Sequence, residues 1–352
     1  MARGSLWSRA AALLCLLLAV ACAAGAAACG EATSQAGTPP APGPTAAGST
    51  AASQAPAAAP VPVTVREFHG MLPFVFTQSI VREGPYRSEK TVGTTVQTRH
   101  GVWVWRQESS DPRLSGRYVS VINLDQRQSD RSAALWGTGR ITNDGGTWVG
   151  RWTGGIAAGG DEHHLRLAVK GKGGYAGLKA TMNAWFVEAG EGFTPDIEIE
   201  GAGWVETTDG SPVPPPPGPG TTPAGLTPVV GIMTTRRAGY EAYSWAWDLD
   251  QSDPRVNGRQ DATIVEEGAA RPDGSIDYGG AWTLTNADGA WDCSAFDGVR
   301  GPGAVEHFTY AVAKGSGAYA GLTFHTFFDF MERRDIQPGD TFVVPGWIDE
   351  RQ

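Results

Sequence analysis

GKGGYAGLKA, Gly171 to Ala180, and GSGAYAGLTF, Gly315 to Phe324, are two copies of one stretch. Three glycines, a tyrosine and a leucine stand at the same offsets in each: Gly171, Gly173 and Gly177 in the first, Gly315, Gly317 and Gly321 in the second. This is the pattern of a tight turn that needs glycine geometry, followed by a strand whose first large side chain enters a core. It is a structural signal and specifies no reaction.

Around the two turns the same landmarks recur in the same order. Trp103 and Trp105 correspond to Trp245 and Trp247, Ser110-Asp111-Pro112-Arg113 to Ser252-Asp253-Pro254-Arg255, Asn143 to Asn286, Trp148 to Trp291, Glu162-His163 to Glu306-His307, and Gly203-Trp204 to Gly346-Trp347. The offset stays between 142 and 144 residues throughout. A chain that repeats so many landmarks in one register is an internal duplication. The repeats are expected over 61–208 and 226–350, and a proline-rich linker over 209–225. Pro214-Pro215-Pro216-Pro217 in that linker favours extended polyproline conformation, a semi-rigid spacer holding the repeats apart. The second repeat is then expected to fold alone.

Within each repeat, segments such as Gly101-Val102-Trp103-Val104-Trp105 and Thr147-Trp148-Val149-Gly150-Arg151-Trp152 alternate with period two. Turn material such as Asn143-Asp144-Gly145-Gly146 separates them, and no segment carries helical periodicity. The expected class is all-β, two tandem antiparallel domains of seven or eight strands each. Closure into a barrel hides every edge, and a two-sheet sandwich buries the same pattern, so periodicity leaves both open. His69 to Glu89 reads as irregular, with no counterpart in the second repeat.

The Gly-x-Gly-x-Tyr-x-Gly segments at 171–177 and 315–321, with a strand on either side, resemble the glycine-rich turn of the allene oxide cyclase and dirigent-like barrels. That resemblance implies an eight-stranded antiparallel barrel with an apolar cavity, used for cyclisation or for steering radical coupling. It transfers no catalytic residue onto a position of this chain.

Arg3 and Arg9 precede an apolar run from Ala10 to Ala28, the n-region and h-region of a secretory signal over 1–28. Ala26-Ala27-Ala28-Cys29 has the form of a bacterial lipoprotein signal end, with Ala19-Val20-Ala21-Cys22 as the alternative. The lipidated residue is therefore expected to be Cys29 or Cys22. Small and polar residues over 29–60 lack the apolar weight to fold and suit a disordered tether. The expected location is the cell envelope, exported and held to the outer face of the cell membrane by an N-terminal lipid.

The chain has 352 residues and a formal net charge of -9, which becomes -11 without residues 1–28. Such a surface does not suit a nucleic-acid partner. With cleavage at Cys29, the other remaining thiol is Cys293, so disulfides are not expected to hold the fold. Cys293 shares a strand face with Trp291, outside any helix start, which suits an inert buried thiol.

Candidate contact residues are those present twice. Trp103, Trp105, Trp245 and Trp247 lie on one face of their strands, as core or as a platform for sugar rings. His163 and His307 share a strand-start position, and either could act as acid or base if it faces a pocket. Adjacent strand residues point to opposite faces, so Glu162 or His164 cannot share a cavity with His163. No metal-ligand spacing, nucleophile elbow or phosphate loop is present, so no cofactor is implied and the catalytic residues stay unassigned. The expected role is binding of an apolar or glycan-like ligand or an envelope partner. A cyclase or isomerase working inside a barrel, and a purely structural module, are the alternatives.

The signal reading makes one prediction. Intact-mass analysis of membrane-extracted protein should find a diacyl or triacyl adduct on an N-terminal cysteine; an unlipidated N-terminus at an alanine would sink it.

Overall fold

The computed structural model describes residues 65–351 apart from 157–161, 188–197, 222–224, 239–243, 268–275, 301–305, 329 and 332–335. The signal segment, most of the tether, and Cys22 and Cys29 lie outside the described residues. Val61–Gln352 forms one compact unit.

The first repeat supplies β1 (Met71–Arg82), β2 (Ser88–Val92), β3 (Thr95–Ser109), β4 (Gly116–Arg127), β5 (Ala133–Asn143), β6 (Gly146–Ile156), β7 (Glu162–Gly173), β8 (Leu178–Val187) and β9 (Glu198–Thr207). From β3 to β9 each strand pairs antiparallel with the next, and β1 closes the ring by pairing with both β9 and β3. The result is an eight-stranded barrel, with β2 attached to β3 as a hairpin outside the ring. The second repeat supplies β10 (Leu226–Arg237), β11 (Ser244–Gln251), β12 (Gly258–Glu267), β13 (Ile276–Thr285), β14 (Gly289–Arg300), β15 (Glu306–Gly317), β16 (Thr323–Phe327), β17 (Phe330–Met331) and β18 (Thr341–Asp349). It closes in the same way, with β10 between β18 and β11, and β17 a short extension along β15. Closure leaves no free edge in either ring, which excludes the sandwich.

One end of each barrel is stoppered by a single 3-10 turn, and the duplicated landmarks meet there. Asp111 caps the turn Pro112–Leu114 by accepting from the backbone N–H of Arg113. The exposed carbonyl of Arg113 then accepts from Trp148 Nε1 at 2.7 Å and from Asn143 Nδ2 at 3.1 Å. Asn143 Oδ1 accepts from the Tyr175 hydroxyl at 2.5 Å, and the Tyr175 ring stacks on Trp148. In the second barrel Trp291 Nε1 and Asn286 Nδ2 donate to the Arg255 carbonyl at 2.8 and 3.2 Å, and Tyr319 donates to Asn286 Oδ1 and stacks on Trp291. Trp148 and Trp291 are fully buried, so these bonds satisfy groups that would be costly to leave unpaired.

The glycine-rich turns deliver those tyrosines. Gly177 and Gly321 stand at φ +88° and +89°, where any other residue is strained. A Cβ on Gly171 or Gly315 would overlap the carbonyl oxygen of Tyr175 or Tyr319. Leu178, next after Gly177, is buried in the core as the pattern implies.

Two expectations are corrected. Met71–Arg82 is a regular strand with a counterpart in β10; the alternation is missing because six successive residues, Pro73 to Gln78, are buried on both faces. The linker does not hold the barrels apart. Val213 is buried in the first barrel's core, its N–H bonds Glu67 and the Pro214 carbonyl takes a 2.8 Å bond from Arg113, so the segment runs across the stoppered end.

The barrels meanwhile pack directly on each other. Val75 and Ala202 meet Phe327 and Trp347, and Met71 and Trp204 meet Val230. The touching elements are equivalent ones, β1 with β10, β9 with β18 and β7 with β15. This is the contact of an isologous dimer, here made within one chain.

Asn286→Ala should leave the Arg255 carbonyl and the Tyr319 hydroxyl short of a partner and cost about 1–3 kcal/mol, and Gly321→Val should cost about 1–2 kcal/mol or more from its positive φ. Chemical denaturation of each variant checks both; a midpoint unchanged in Gly321→Val would overturn the conformational account.

Candidate functional site

Alternation along the first barrel sends Trp103 and Trp105 of β3, Tyr118 and Ser120 of β4, Trp152 of β6 and His163 of β7 inward, and together with Gln78 and Phe186 they border a cavity of about 50 Å³. At roughly 10–15 Å³ per water on this measure, that is room for three to five waters or a molecule of about four heavy atoms. On the inner face of β5, Leu135 borders the cavity, and the place over Gly139 is taken by the Tyr118 ring and Leu167. Gly139 occupies the place that Trp282 takes in the second barrel, and Ala180 the place of Phe324.

The walls are apolar, with a few placed polar groups. Gln78 Nε2 donates to Gln107 Oε1 at 2.7 Å and Gln107 Nε2 to the Leu114 carbonyl at 2.7 Å, so a chain of amides ties the cavity to the stopper. Trp105 Nε1 donates to Ser120 Oγ at 3.0 Å. The His163 ring stacks on Phe186 at 4.6 Å. Burial pushes the Tyr118 phenol well above its ordinary value, so it stays protonated. The buried Nε1 of Trp152 makes no hydrogen bond; Trp247 and Trp282 share that condition in the second barrel but do not border this cavity. No carboxylate or lysine lines it.

The residues singled out from sequence divide accordingly. Trp103, Trp105 and His163 converge on the cavity. Trp245 and Trp247 are buried in the second core, stacked on each other at 5.6 Å. All four of these indoles are 5–7% exposed, so they form no surface platform. His307 lies on β15, and its side chain is outside the described residues. Cys293 is buried, and its Sγ donates to the Ala295 carbonyl at 3.2 Å. Among the described residues no three His, Cys, Asp or Glu side chains converge in a metal-holding group. Tyr118, Gln78 and Phe186 were missed; period two places Tyr118 and Ser120 on one face but does not say which face turns inward.

His164, next to His163, points the opposite way, into the contact between the barrels. It is 2% exposed, stacked between Trp185 at 5.1 Å and Phe308 at 5.0 Å, and neither ring nitrogen has a partner. Burial, with a smaller push from His163, lowers its pKa to about 3. In the same contact Tyr310 stacks on Trp185 and its hydroxyl meets His325 Nδ1 at 2.6 Å, while His325 stacks on Trp347 at 4.5 Å. Burial lowers His325 to about 4, against the opposing pull of Asp349 and with help from Lys314 and Arg351.

No family model matches the chain, and neither curated proteins nor solved structures give a match.

The two buried histidines make the packed state acid-labile. A folded pKa of about 3 for His164 lies below the ordinary 6.5, so between those pH values the unfolded chain holds a proton that the folded one lacks. Stability should therefore be full above about pH 6.5 and fall as the pH drops toward 3, by roughly 1 kcal/mol per pH unit for a fully buried group. Melting temperatures measured from pH 8 to 4 should fall less steeply in His164→Phe than in wild type; parallel curves would refute the assignment.

Proposed function

We propose that the protein is an exported, lipid-anchored binding protein of the cell envelope, whose first barrel receives a small apolar ligand while the second is a packed scaffold that braces it. The observation that carries this reading is the cavity itself, about 50 Å³ inside the first barrel, bordered by Trp103, Trp105, Tyr118, Trp152 and His163. The aromatic walls favour an apolar ligand over a glycan, because sugar hydroxyls would lose water without enough partners. The glycine-rich turns that resemble the allene oxide cyclase and dirigent-like barrels fit an apolar interior of this kind. Tyr118 and His163 are the cavity's titratable groups and no carboxylate assists them, which favours retention of a ligand over acid–base turnover.

The Val61–Gln352 unit, which contains both cores, should bind isobutene with a Kd on the order of 5 mM, from about 0.8 kcal/mol per buried carbon. Ala184→Phe, which fills the cavity from β8, should remove that binding and keep the β circular dichroism. The reading fails if the wild type binds no such hydrocarbon, or if the folded variant binds it equally well.

A further inference from the structure

We infer that the cavity of the first barrel selects a compact, neutral ligand carrying a hydrogen-bond acceptor, with the indole N–H of Trp152 as the donor that meets it. This rests on the binding reading above and adds the chemistry of recognition. Trp152 borders the cavity, is 4% exposed, and its Nε1 has no hydrogen-bond partner. A buried donor with no partner among the protein's own groups gains a hydrogen bond from any acceptor that reaches it through the cavity.

The neighbouring backbone keeps this donor uncovered. Gly137 pairs with Trp152 across β5 and β6, and a Cβ at that position would stand 2.9 Å from the indole nitrogen. Any side chain on Gly137 would thus crowd the N–H edge, whereas glycine leaves it clear. The Val121 carbonyl oxygen would be overlapped first by a Cβ on Gly137, so the strand pairing that keeps glycine there also keeps a side chain away from the indole N–H.

A second donor stands on the adjacent strand. Ser120 Oγ accepts from Trp105, and a hydroxyl that accepts still has its own proton to give. Gln78 gives one of its two amide N–H groups to Gln107 and borders the cavity with a second N–H and an acceptor oxygen. The wall thus presents N–H and O–H donors and no formal charge at neutral pH from aspartate, glutamate, lysine or arginine. An ionic ligand would be buried without a counter-charge, and a pure hydrocarbon would leave the Trp152 N–H unpaired. A molecule of about four heavy atoms bearing a carbonyl oxygen satisfies both conditions.

Acetone and isobutene have the same shape and differ in C=O against C=CH₂, so they separate recognition from simple filling. In proton–nitrogen spectra of the Val61–Gln352 unit, the ketone should move the Trp152 indole N–H downfield and the hydrocarbon should not. Trp152→Phe, which deletes the signal and so assigns it, should weaken the ketone about tenfold, the scale of one hydrogen bond, and leave the hydrocarbon unchanged. The wild-type spectrum decides the question even if that variant does not fold. Hydrocarbon binding without a ketone-induced shift, or equal loss of both ligands in Trp152→Phe, overturns the inference and leaves the binding reading intact. Binding of neither probe to the wild type overturns both.

Discussion

Each barrel depends on a carbonyl oxygen held at its end. Closing a sheet into a ring pairs every strand laterally but leaves the ends of the cylinder open, and a core open at one end is wet. Here the chain between β3 and β4, and likewise between β11 and β12, tucks a 3-10 turn into that end. The turn's carbonyl, on Arg113 or Arg255, is fixed by an indole N–H and an asparagine amide. The asparagine is in turn fixed by a tyrosine hydroxyl. Every member of the set is a hydrogen-bonding partner to another, which is the condition under which a buried polar network specifies a structure instead of destabilising it. In the first barrel the turn also buries the Arg113–Asp111 pair, 4% and 2% exposed, whose guanidinium reaches on to the Pro214 carbonyl. Burying that pair costs desolvation, and the added backbone bonds are what offset it.

That stopper explains why the proline-rich segment is not a spacer. With Arg113 and Glu67 holding its backbone and Val213 set in the core, the segment is part of the first barrel's lid. The barrels are then free to meet through their sides. Equivalent strands face each other, and aromatic rings of both barrels interleave at Trp185, Tyr310 and Trp347. An interior of this kind tolerates a neutral histidine far better than a charged one, which sets the protonation of His164 and His325. The same packing makes the second barrel a poor candidate for life alone, since Val230, Phe327 and Trp347 would be left in water.

The symmetry of the ends contrasts with the asymmetry of the interiors. Stopper residues match one for one between the copies, because each is tied to a backbone group that both folds share. Interior residues are tied only by volume, and volume can be redistributed: a tryptophan in one barrel stands where a glycine stands in the other. Function is therefore read from the differences between the copies, and stability from their agreements.

Much of this was legible in the chain. Duplication, β class, turn positions and the residues of the stopper all follow from local signals: a fixed offset, a period of two, and glycines whose backbone angles no other residue adopts without strain. Gly177 and Gly321 could be assigned a conformational role before any contact was known. What the tertiary structure alone decided has a common cause, since each point depends on which residues from distant strands share a volume. Barrel and sandwich bury one alternating face equally well, so only the pairing of β1 with both β3 and β9 separates them. The strand Met71–Arg82 shows no alternation because both its faces are covered, one by its own barrel and one by the other. Alternation puts His163 and His164 on opposite faces of a strand, and only the fold shows that one face is turned to the cavity and the other to the contact between barrels. The cavity itself is a shortfall of side-chain volume summed over eight strands, and no stretch of the sequence contains that sum.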